Sequence, residues 1–128
     1  MKFFDVQTRT RDQFVNVTAQ VQQTVHALGI SEGTVTVFVP HTTCGLTINE
    51  NADPDVAADM LKQLEAMVPL QQPFYKHAEG NSAAHIKASL MGCSLQVIVT
   101  NGHIDLGVWQ GIYLCEFDGP RARRVWVQ

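Results

Sequence analysis

The chain carries no surplus of positive charge. Nine lysines and arginines stand against twelve aspartates and glutamates in 128 residues, giving a formal charge of -3. Neutralising a phosphate backbone takes clustered Lys and Arg, and here only Arg121, Arg123 and Arg124 are grouped. Nucleic acid is therefore not an expected partner. Long apolar runs are absent too: none approaches the roughly 20 residues a helix needs to cross a bilayer. The start, Met1-Lys2-Phe3-Phe4-Asp5, lacks the apolar core of a secretory signal. The expectation is a soluble, cytoplasmic protein with no membrane partner. Cysteine is scarce: Cys44, Cys93 and Cys115 are odd in number and lack the paired spacing of a zinc knuckle or a redox dithiol. They read as separate reduced thiols. Internal repeats and low-complexity segments are missing, and 45% apolar content over this length suits one compact domain, residues 1–128.

What is present is concentrated in His41-Thr42-Thr43-Cys44-Gly45-Leu46-Thr47-Ile48-Asn49-Glu50-Asn51-Ala52-Asp53-Pro54-Asp55. One histidine, one thiol, two amides and three carboxylates lie there between an apolar run, Thr34 to Pro40, and the start of a helix. Asp53-Pro54 reads as an N-cap followed by proline at the first helical position. The spacing of Val56, Met60, Leu61, Leu64 and Met67 predicts a helix from Pro54 to Met67, stopped before Pro69. Thr18 is expected to cap a helix running to Leu28 and ended by Gly29, and Ser82 a helix from Ala83 to Met91 ended by Gly92. Strands are predicted over Lys2–Arg9, Gln13–Val17, Thr34–Val39, Leu95–Thr100, Gln110–Phe117 and the C-terminal residues to Val127. Asn101-Gly102 and Asp118-Gly119-Pro120 serve as turns. Strands in runs with helices inserted between them predict an α+β fold with a largely antiparallel sheet or sandwich and two or three helices.

Three of the five histidines, His41, His77 and His85, sit in polar, glycine-rich surroundings at element ends. His26 falls on an exposed helix face and His103 follows a turn. Neutral imidazole is a good ligand for zinc-like ions, and a first-turn position keeps His85 neutral. These histidines are either metal ligands or hydrogen-bonded surface groups. Glu50, Asp53 and Glu79 either orient them or act as caps and surface charges. Cys44, three residues from His41, allows a thiolate nucleophile, against which stands the commoner outcome of a small buried cysteine. Trp109 either walls a pocket or packs half-buried. Arg121, Arg123 and Arg124 either hold a phosphate or line a strand edge.

Three blocks carry a resemblance: HTTCGLTINENADPDV from His41, HAEGNSAAHIKASLMG from His77, and LGVWQGIYLCEFDGPRARRVWVQ from Leu106. In their order and spacing they closely resemble the YjbQ family, whose members are also labelled secondary thiamine-phosphate synthases. The resemblance implies a small α+β sandwich assembling as a homotrimer, with a polar cleft near the subunit boundary. It implies His41, His77 and His85 as ligands of a divalent metal, zinc-like or magnesium, and places Asn49, Glu50, Asn51 and Asp53 in one signature. Cys44 stands where many relatives carry alanine. The labelled reaction joins an aminopyrimidine diphosphate to a thiazole phosphate and expels pyrophosphate. The combined expectation is a metal-dependent enzyme on a small phosphorylated or anionic metabolite. Glu50 and Asn49 would be catalytic, and Thr42, Asn51, Asp53, Trp109 and Arg121 would bind substrate. A metal-dependent hydrolase and a non-enzymatic trimeric scaffold are the alternatives.

Overall fold

A computed structural model of the protein describes residues 1–128. Two antiparallel sheets and three helices make up the chain. β1 (Lys2–Gln7) and β2 (Gln13–Asn16) lead into α1 (Thr18–Leu28), β3 (Glu32–Phe38) and β4 (Cys44–Glu50). Then come α2 (Pro54–Met67), α3 (Ser82–Met91), β5 (Ser94–Thr100), β6 (His103–Asp105), β7 (Gln110–Glu116) and β8 (Ala122–Val127). The larger sheet has the order β1-β8-β3-β5-β6 and the smaller β2-β7-β4. The expected α+β architecture is what forms, and no helix is long and apolar enough to cross a membrane.

Period-two patterning explains the larger sheet. Val35, Val37, Val97, Val99, Val125 and Val127 point inward and are almost wholly buried. There they meet Val21 and Val25 of α1 and Leu46, Ile112 and Leu114 of the smaller sheet. Full burial of such side chains stabilises the fold by about 1.5–3 kcal/mol each. The outer face of this sheet stays in water, exposing Phe3 and Ile98. β7 is buried on both faces: Ile112 and Leu114 join the first core, while Tyr113 and Cys115 join a second with Leu64 of α2 and Ala84 and Ala88 of α3. The smaller sheet is thus the middle layer.

Four expectations need correction. Cys44–Glu50 is not a connection but a full strand, paired with β7 from Cys44↔Glu116 to Glu50↔Gln110. Cys44, Leu46 and Ile48 face the first core, and Gly45 faces α3 so closely that a Cβ there would lie 2.8 Å from the Gly92 oxygen. A second missed strand is β6, which pairs with β5 across the Asn101-Gly102 turn. Both turn residues have positive φ, 55° and 78°, as a two-residue hairpin loop requires. Thr18 is the first helical residue rather than the cap, and Asn16 Oδ1 accepts from its N–H at 3.1 Å. Ser82 likewise opens α3 from within, with Asn81 at the cap position. Asp53 does cap α2, its Oδ1 accepting from Asp55 N–H at 2.9 Å.

Candidate functional site

Three segments far apart in sequence enclose one polar pocket of about 440 Å³, lined by Pro40 and ten polar or charged residues. The β3–β4 connection supplies His41, Thr42 and Thr43. The α2–α3 connection and the start of α3 supply His77, Glu79, Asn81 and His85, and the β7–β8 region supplies Asp118, Arg121 and Arg123. Asn81 at the cap of α3 and His85 in its first turns line this space, and the positive end of a helix dipole favours an anion nearby.

His41 is held by strand β8. Its Nε2 accepts a hydrogen bond from the Arg124 backbone N–H at 3.0 Å, which leaves the proton of the neutral ring on Nδ1. Burial, and then the Arg123 charge, push its pKa below the ordinary 6.5. His41 is therefore a neutral ring with Nδ1–H as its donor.

Beneath it lies a buried ion pair. Glu116 is fully buried and Arg123 almost so. Arg123 Nε donates to Glu116 Oε1 at 2.8 Å, and Nη2 donates to both Glu116 Oε2 and Thr43 Oγ1, the latter at 2.7 Å. Glu116 also accepts from Thr8 Oγ1 at 2.8 Å and from the Phe117 and Asp118 N–H groups at 3.0 Å. Burial alone would raise the Glu116 pKa, but the hydrogen bonds from Arg123, Asp118 and Thr8 outweigh it, and the carboxyl is held below its ordinary value. The pair pins the His41–Thr43 segment to β7 and β8.

His77 and His85 meet edge to face with ring centroids 5.5 Å apart, and Glu79 Oε1 lies 4.0 Å from His77 Nε2. Asp118 Oδ2 accepts from Asn81 Nδ2 at 2.9 Å and from Arg121 Nη2 at 3.1 Å. The Asn81 Oδ1 atom is buried without a hydrogen-bond partner. As donors for a metal these groups fit in part. The three imidazoles line one pocket, yet no three His, Cys, Asp or Glu side chains converge as a ready coordination shell. His41 has committed its free lone pair to Arg124. His77 and His85, with Glu79 4.0 Å from His77, are the donors left, and they would have to draw together to hold an ion.

The family model described as "UPF0047 protein YjbQ-like" matches residues 2–128. The chain belongs to the YjbQ/UPF0047 family. It is 46% identical over 128 residues to the UPF0047 protein YugU of Bacillus subtilis, covering all of this chain and 97% of that one. It is 43% identical over 125 residues to the UPF0047 protein MJ1081 of Methanocaldococcus jannaschii, with 98% and 90% covered. A crystal structure of a YjbQ/UPF0047 protein from Clostridium acetobutylicum superposes with a TM-score of 0.96 at 53% identity, covering 100% and 98% of the two chains. A conserved hypothetical protein of Thermus thermophilus gives 0.93 at 46% identity, with 100% and 98% covered.

In this YjbQ-family chain the expected site residues divide into two groups. His41, Thr42, His77, His85 and Arg121 share the pocket. Asn49, Glu50, Asn51, Asp53 and Trp109 do not: they gather at the far end of β4, about 20 Å from its Cys44 end at ~3.3 Å per residue. Within one chain, Glu50 therefore cannot serve as acid or base at the histidines. Its backbone oxygen accepts from Tyr113 OH at 3.0 Å, and Asn49 Oδ1 from the Glu50 N–H at 2.8 Å. Asn51 N–H donates to the Trp109 oxygen at 2.9 Å. Trp109 itself is 61% exposed, so it does not pack half-buried. Cys44 is buried, and desolvation pushes its thiol up to about 12, which removes the thiolate a nucleophile needs. Sequence reasoning passed over Asn81 and Asp118. Both lie inside the quoted blocks, one directly before the expected cap Ser82 and the other in the expected turn Asp118-Gly119-Pro120.

Proposed function

We propose that the His41–His77–His85 pocket is the active site of a metal-assisted enzyme acting on a small phosphorylated metabolite. The observation that carries this reading is the charge balance of the pocket. Arg121 and Arg123 stand against Glu79, Asp118 and the underlying Glu116, so the ionised side chains do not sum to a positive site. His41 is neutral. Yet the donors suit an anion: His41 Nδ1–H, Arg121 on the half-exposed rim, and the α3 N-terminus. A divalent cation on His77 and His85, completed by Glu79 or Asp118, resolves the mismatch, and when bound it would neutralise a phosphate or pyrophosphate leaving group. Two imidazoles beside a carboxylate suit a zinc-like ion, whereas magnesium would need an oxygen shell completed by water and substrate phosphate. The chain's own residues do the remaining work. His41 donates to a phosphate oxygen, Arg121 leaves Asp118 to pair with the anion, and Arg123 holds Thr43 and hence the pocket wall in place.

A thiamine-phosphate-synthase-like transferase is the activity this reading puts first. Its assembly is a cytoplasmic homotrimer, in which Asn49, Glu50 and Trp109 of one subunit would approach the pocket of a neighbour. The test is rescue of a thiamine auxotroph together with metal content, for the wild type and for His85→Ala and Glu50→Ala. Loss of rescue and of bound metal in His85→Ala, with the oligomer unchanged, supports the reading. A wild type that holds no divalent metal and turns over no phosphorylated substrate overturns it.

A further inference from the structure

Asn81 is the one residue of the pocket with an unspent buried polar atom. Its Nδ2 donates to Asp118 Oδ2 at 2.9 Å, while Oδ1 has no partner. Leaving a buried acceptor unmatched is costly, and native structures seldom tolerate it without a reason. The amide cannot relieve the cost by flipping, because Oδ1 would then face the Asp118 carboxylate. Asp118 thereby fixes the polarity of Asn81. The same carboxylate oxygen also accepts from Arg121 Nη2 at 3.1 Å, and Arg121 is half exposed. Asn81, Asp118 and Arg121 line the one pocket, and a ligand group that hydrogen-bonds Oδ1 would supply the partner it lacks.

We infer that Asn81 is a specificity residue: its Oδ1 accepts a hydrogen bond from a hydroxyl or amino group that the anionic ligand carries beside its phosphate. This rests on the pocket being a phosphate site and adds the second half of the ligand. The substrate class narrows to phosphate esters with a neighbouring O–H or N–H donor. Plain alkyl phosphates leave Oδ1 unmatched and bind more weakly, since a site built around a hydrogen bond rejects the analogue that lacks it.

The test uses inorganic phosphate, ethyl phosphate, 2-hydroxyethyl phosphate and 2-aminoethyl phosphate, titrated calorimetrically into the intact protein. The wild type is expected to bind the hydroxyl or amino ester roughly tenfold more tightly than ethyl phosphate, in line with one hydrogen bond. Asn81→Leu should erase that preference. Asn81→Asp keeps an acceptor and serves if the leucine variant does not fold: it should retain the preference even as repulsion with Asp118 weakens all four ligands. Phosphate binding without any preference in the wild type, or a preference that survives Asn81→Leu, overturns the role of Asn81 and leaves the phosphate site standing. If Asn81→Leu lowers divalent-metal affinity and leaves the preference intact, Oδ1 is a metal ligand and the inference falls. No binding of any of the four, with or without added divalent metal, removes the phosphate site and the inference with it.

Discussion

Glu116→Ala is the perturbation for which the structure gives the clearest magnitude. The Glu116 carboxylate is completely buried and accepts five hydrogen bonds, two of them from Arg123. Removing it leaves a guanidinium that is 4% exposed with no counter-charge. Breaking one partner out of a buried pair costs about 3–5 kcal/mol, against a total stability of about 5–15 kcal/mol for a domain of this kind. In thermal unfolding that corresponds to a Tm lower by roughly 9–25 °C, at about 3–5 °C per kcal/mol for a domain of this length. The larger part of the loss comes from the uncompensated charge, the rest from the Thr8, Phe117 and Asp118 donors that lose their acceptor. Glu116→Leu combined with Arg123→Met should recover the part due to the charge, because an apolar pair of similar volume is often as stable as a buried ion pair. The double variant should still lose phosphate binding, since Arg123 no longer holds Thr43. Urea unfolding of the wild type, Glu116→Leu, Arg123→Met and the double variant closes the cycle, with Glu116→Ala measured beside it. A Glu116→Ala loss below about 1 kcal/mol, or a double variant no better than the singles, would refute the reasoning. The carboxyl is held below its ordinary 4.5, so its stabilisation is complete above that value and disappears as pH falls through the folded pKa.

His41, held below its ordinary 6.5, follows the same sign: its contribution is full above pH 6.5 and is lost as acid protonates Nε2 and breaks the bond from Arg124. Urea midpoints of the wild type relative to His41→Gln should be constant above that pH and fall below it; a difference that stays flat to pH 4.5 contradicts the assignment. Gly45→Ala would place a methyl 2.8 Å from both the Gly92 oxygen and Met91 Cβ. It should destabilise by about 1–3 kcal/mol in urea, as overpacking does. Alkylation with iodoacetamide at pH 8 followed by mass spectrometry should modify exposed Cys93 alone, leaving Cys44 and Cys115 untouched until the chain unfolds.

Much of this fold is legible in the residues themselves. The helix Pro54–Met67 can be read to the residue because cap, first-turn proline, apolar spacing and terminating proline all agree. β3 is legible because nothing interrupts its alternation of valines. β4 is not: its inward Cys44, Leu46 and Ile48 alternate with Gly45, Thr47 and Asn49, and so many polar residues resemble a connection. A three-residue strand such as β6 is too short to show any period. The site splits for the same reason as β4. Adjacent functional residues suggest one cluster, but an extended strand separates its ends by about 3.3 Å per residue, leaving Glu50 far from His41. Asn81 and Asp118 meet across 37 positions, and no local pattern marks such a contact.

Tungstate soaked into crystals of the protein tests the central claim most directly, because its anomalous signal locates a phosphate-like anion without an assumed substrate. One strong peak is expected within hydrogen-bond distance of His41 Nδ1 and the Arg121 guanidinium, lost in His41→Ala crystals. An empty pocket at saturating tungstate, or a peak that persists there without the His41 imidazole, would contradict it.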